Sequence, residues 1–84
     1  MNDDRELIDK TKTLVLTDCV DSFFVSKSDV VKYLKKNKAG YMSFFNGCNS
    51  KLSINKAVSS AFNELEKEGK VIKSGSNIRK PYSF

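Results

Sequence analysis

Ser53-Ile54-Asn55-Lys56-Ala57-Val58-Ser59-Ser60-Ala61-Phe62-Asn63-Glu64-Leu65-Glu66-Lys67-Glu68-Gly69-Lys70-Val71-Ile72 is the stretch that decides the fold. Ile54, Val58, Ala61, Phe62 and Leu65 recur at three- and four-residue spacing, which places them in one apolar stripe along a helix. Ser53 is suited to cap its start, because a serine oxygen accepts a bond from an otherwise unpaired N–H of the first turn. Gly69 is suited to end it, because the residue after a helix commonly takes a left-handed conformation. Directly after the glycine, Val71-Ile72 changes to residues that favour strands.

The tail continues the change. Gly75-Ser76-Asn77 is turn chemistry between two short strand-like runs, so the tail, residues 70–84, reads as a β-hairpin. Pro81 cannot donate to a ladder and belongs at an edge or a break in pairing. Tyr82 and Phe84 are expected to return to the core.

Working towards the N-terminus, Tyr41, Met42, Phe44 and Phe45 are too apolar for a free loop. They predict a short extra turn of helix against the core, broken at Asn46-Gly47. Before it, Ser26 is spaced to cap a second helix, with Asp29 at the third position. Val30, Val31 and Leu34 are its inner side, Lys32, Lys35, Lys36 and Lys38 point away, and Gly40 is the expected stop. Phe23-Phe24-Val25 predicts a short strand. From Asp4 to Val20, Leu7, Ile8, Thr11, Leu14, Val15 and Cys19 form one face of a first helix. Leu16 and Val20 fall on the opposite side. Asp3, Asp4 and Glu6 lie at its start, where the helix dipole favours negative charge.

The order is helix, short strand, helix, helix, β-hairpin: a mostly helical α+β class, as one domain over residues 1–84. This order, with the junction Leu65-x-x-x-Gly69-x-Val71-Ile72, a polar wing and a closing aromatic, resembles the winged helix-turn-helix superfamily, in the style of small bacterial, phage and plasmid regulators. The likeness is one of topology, so function comes from it by analogy. The segment between the second and third helices is longer than the usual tight turn.

Charge agrees with that resemblance. The chain of 84 residues has net charge +5. Residues 1–31 hold four bases against seven acids, a balance of −3, and residues 32–84 hold eleven bases against three acids, a balance of +8. A basic C-terminal part is the footprint of a polyanion binder. With no histidine in the chain, neutral-pH acid–base catalysis loses its usual carrier. No nucleophile elbow, phosphate loop or metal-ligand spacing is present, so no enzyme activity, cofactor or metal is expected. Cys19 and Cys48 read as reduced thiols. No run approaches the roughly 18 apolar residues of a membrane span, and the acidic start lacks a signal-peptide pattern. The expected place is therefore the cytoplasm, at the nucleoid in a bacterial cell.

The resemblance implies double-stranded DNA as partner, with the third helix in the major groove and the wing on the backbone or minor groove. Ser53, Lys56, Ser59, Ser60, Asn63 and Lys67 hold the face of that helix away from its apolar stripe. Lysine contacts phosphate or guanine, and asparagine can read adenine. The acids Glu64, Glu66 and Glu68 crowd its C-terminal end. The wing supplies Lys70, Lys73, Asn77, Arg79 and Lys80, with Arg79 a candidate for insertion into a narrow minor groove. Lys27 and Ser28 open the second helix beside exposed amides that suit phosphate. A small regulator of transcription, or of plasmid or phage maintenance, is the function expected. The alternative is a winged-helix protein-interaction module, an inhibitor or a subunit of a nucleoprotein assembly. Tyr41, Phe44 and Phe45, with Leu16 and Val20, would then carry the interface. The same residues are candidates for a homodimer. Neither reading involves a membrane or a small-molecule substrate.

Overall fold

The computed structural model describes residues 3–81; the expected return of Tyr82 and Phe84 lies outside them. Helix α1 spans Asp3–Leu14 and runs on through a π-helical segment, Val15–Cys19. The wider turn closes with the Val20 N–H bonded to the Val15 carbonyl at 3.0 Å. A fifth residue in the turn rotates the residues beyond it about the helix axis. Leu16, Cys19 and Val20 accordingly pack, partly buried, against the core. Leu16 and Val20 therefore do not form a separate outer strip.

Strand β1 is Val25–Ser26 and leads into α2, Lys27–Asn37. The Ser26 hydroxyl accepts from the Asp29 N–H at 3.1 Å, the expected cap. Phe23 and Phe24 lie outside the strand and are 80% and 47% exposed. Three successive strand-forming residues are not enough there, because only Val25 finds a buried partner across the sheet. Gly40 is not the stop of α2. The helix ends at Asn37, with Lys38 as its C-cap, and Gly40 sits in the first turn of α3, Ala39–Gly47. The expected extra turn is thus a full helix that includes Asn46 and Gly47.

Helix α4, Ile54–Lys67, is the clearest element. Ser53 caps it, accepting from the Lys56 N–H at 3.2 Å. Ile54, Ala57, Val58, Ala61, Phe62 and Leu65 are all buried. It ends in paired reverse bonds, Gly69 N–H to Glu66 carbonyl at 3.0 Å and Lys70 N–H to Leu65 carbonyl at 2.9 Å. These are the two bonds of a Schellman motif. Gly69 takes the left-handed φ of 76° that the motif needs.

Strands β2, Ile72–Ser74, and β3, Asn77–Arg79, form the hairpin. Ser74 pairs with Asn77, so the turn is Gly75-Ser76 alone. Gly75 has φ 62° and Ser76 does not have a positive φ, the pattern of a type II′ hairpin turn. Strand β1 pairs with β3, Val25 opposite Ile78, which makes an antiparallel sheet of order β1-β3-β2. The result is a winged-helix-like topology with one core. Leu7, Val15, Val30, Leu34, Val58, Phe62, Leu65 and Ile78 at its centre are essentially solvent-free. Thr11, the buried polar residue among them, donates to the Leu7 carbonyl at 2.7 Å and shares a bond with the Tyr41 hydroxyl at 2.8 Å.

Candidate nucleic-acid interface

Three elements meet beside the hairpin turn. The Lys27 N–H, at the start of α2, donates to the Ser76 carbonyl at 3.0 Å, which pins the turn against that helix. Across the gap, Lys27 Nζ donates to Ser59 Oγ on α4 at 3.1 Å. Between them lies a cleft of about 180 Å³ lined by Lys27, Ser59, Phe62, Asn63, Lys73, Gly75 and Ser76. Its polar lining comes from all three expected sources: the start of α2, the outer face of α4 and the wing.

Strand pairing explains why Lys73 belongs to this cleft. Residues directly opposite in a sheet share a face. Lys73 is opposite the buried Ile78, and Ile78 is opposite Val25. All three therefore face α4. By alternation, the residues on either side face outward. Arg79, opposite Ile72, and Asn77, opposite Ser26 and Ser74, are on the outer face. The Arg79 guanidinium lies 5.3 Å from the ring centre of Phe24, and its Nη1 donates to the Lys80 carbonyl at 3.0 Å. The wing residues expected to act together are thus divided: Lys73 is in the cleft, and Arg79 and Asn77 are behind it. Arg79 is also not at the wing tip.

Lys70 is elsewhere again. It pairs with Glu68 at 3.4 Å and lines a groove with Asp9, Lys12 and Leu16 on the α1 side. Ser53 is spent on its cap, Ser28 is exposed at the start of α2, and Ser60 is partly buried. Lys56, Asn63 and Lys67 are exposed. Lys80 is exposed, with its N–H on the Asp21 carbonyl at 2.7 Å.

Packing of α1 on α4 removes most of the negative charge from this surface. Glu64 accepts from Arg5 at 2.5 Å and from Lys12 at 3.3 Å, and Glu68 pairs with Lys12. The bond from Arg5 holds the Glu64 carboxyl below its usual range, and the bond from Lys12 does the same for Glu68. Both acids are directed to α1. Glu66 is exposed and, three residues after Asn63, belongs to the cleft side at the C-terminal end. The N-terminal half of α4 contains no acid.

The aromatic cluster is largely turned inward. Tyr41 is 5% exposed and stacks with Phe45, ring centres 6.4 Å apart. Phe44 and Phe45 are partly buried against the core, and Lys10 Nζ sits 4.8 Å from the Phe44 ring centre. Tyr41 therefore exposes little surface of its own, and with Lys10, Leu14 and Phe44 it lines a cavity of about 420 Å³. Exposed aromatic surface is found instead at Phe23 and Phe24, the two residues expected in a strand. Asn55 is exposed at the start of α4. The alternation around Ile78, with a two-residue turn, is the signal that separates Lys73 from Arg79. Comparison with known proteins returns no matching family model, no matching curated protein and no matching solved structure.

Proposed function

We propose that the chain binds double-stranded DNA in the winged-helix manner, with α4 in the major groove and the start of α2 and the hairpin turn on the backbone. The observation that carries this reading is the convergence of Lys27, Ser59, Asn63 and Lys73 on one cleft, while Arg5 and Lys12 hold Glu64 and Glu68 on the other side of α4. A major groove about 12 Å wide admits a helix. Lys27 keeps two ammonium donors after its bond to Ser59, which suits phosphate contact. Glu66 disfavours close approach of phosphate at the C-terminal end. The N-terminal half of α4, with Asn55, Lys56, Ser59 and Ser60, is then the part that enters. Such a surface fits a small regulator of transcription, or of plasmid or phage maintenance, that acts by occupying its site.

The test is fluorescence anisotropy with a duplex of about 30 base pairs across a salt series. Affinity that falls steeply with salt is the expected result. No binding at low salt, where non-specific contacts alone give measurable affinity, overturns the proposal. The protein-interaction reading rests on the 41–45 cluster, and the packing of those side chains leaves it less support.

A further inference from the structure

We propose that the outer face of the sheet binds a single strand of nucleic acid by stacking bases on Phe23 and Phe24. The strand register builds this face in two rows. Arg79 and Ile72 are opposite one another, and Phe24 lies under the Arg79 guanidinium. Beside that row, Ser26, Asn77 and Ser74 are successive cross-strand partners. One row thus offers an aromatic ring with a cation, and the other offers the Asn77 amide and the Ser74 hydroxyl, the Ser26 hydroxyl being taken by its cap on α2. Phe23, the residue before Phe24 in the chain, is 80% exposed. Lys80 is exposed at the end of β3.

Size and charge select the partner. With strands about 4.8 Å apart, three strands make a face roughly 10 Å wide. A stable protein interface needs about 800 Å² from each side, far more than this face holds. One or two bases fit it. Aromatic rings beside cationic side chains are what single strands use, because every base has a stacking face and every linkage has a negative charge. The face is on the side of the sheet away from the α4 cleft, so it is independent of the duplex reading. A chain with both surfaces would favour a junction of duplex and single strand.

The experiment uses labelled oligothymidylate and oligouridylate of about 15 nucleotides, read by anisotropy against the duplex. Phe23→Ala and Phe24→Leu should each weaken strand binding roughly tenfold, and leave duplex binding unchanged. Phe23→Tyr, which retains a ring, should restore it. Lys27→Ala/Lys73→Ala should show the reverse pattern. Because Phe23 is so exposed, Phe23→Ala decides the matter even if Phe24→Leu fails to fold. Three results overturn the proposal: neither oligonucleotide binds at low salt; strand binding survives both phenylalanine substitutions; or those substitutions convert a dimer to a monomer in sedimentation without changing strand affinity.

Discussion

Replacing Lys27 and Lys73 together by alanine should flatten the salt dependence of duplex binding by a calculable amount. Lys27 and Lys73 line the cleft, and Lys56 and Lys67 are exposed on the adjoining face of α4. Each lysine that neutralises one phosphate contributes about −0.9 to the slope of log K against log salt. Four contacts therefore predict a slope of about −3.6 for the wild type, and two predict about −1.8. Between about 50 and 200 mM salt, a fourfold change, wild-type affinity should fall roughly 150-fold and that of the double variant roughly 12-fold. Anisotropy titrations at four or five salt concentrations measure both slopes. Arg79→Ala is the internal control, because Arg79 is on the other face of the sheet and should leave the slope within error of wild type. If the double variant keeps the wild-type slope, or if Arg79→Ala flattens it instead, the cleft is not the phosphate-binding surface.

Gly69→Ala should destabilise the fold by about 1–2 kcal/mol, the cost of a left-handed Cβ. An added Cβ there meets no neighbour within 4 Å, so the cost is purely conformational, and thermal melting should fall by several degrees. Thr11→Val leaves the Tyr41 hydroxyl buried without its partner and should cost about 1–3 kcal/mol in urea unfolding. Asp18, Glu64 and Glu68 are held below the usual carboxylate range by Lys38, Arg5 and Lys12 respectively. Their contribution is present above the unfolded value of about 4.3 for glutamate and is lost as pH falls through the lower folded values. Lys12→Met should thus reduce stability at neutral pH and converge with wild type in acid melts; a difference that persists in acid refutes the ion-pair account. Burial pushes the Cys19 thiol up to about 11. At pH 8 it should react with a disulfide reagent about two orders of magnitude more slowly than a free thiol, which mass mapping of the labelled chain measures.

What the sequence determined was local. The stripe of α4, the serine caps at Ser26 and Ser53 and the left-handed Gly69 all arise from groups within one or two turns of each other. The partition of charge along the chain was legible in the same way. The type and order of elements came from these signals, and so did the group of residues from which the cleft is built. Errors fell where a residue's fate depends on a distant partner. Phe24 and Val25 have similar strand preference, but only Val25 packs against the core, because Ile78 lies opposite it. That Tyr41 packs on the core was legible from its apolar neighbours, but not that Thr11, thirty positions away, takes its hydroxyl. Lys70, Lys73 and Arg79 are alike as a basic run. Tertiary structure sends one to Glu68, one to the α4 cleft and one onto Phe24. The physical reason is that helix periodicity and capping are settled by near neighbours. Which face of a strand is buried, and which acid a lysine meets, depends on how distant segments compete for the same apolar surface.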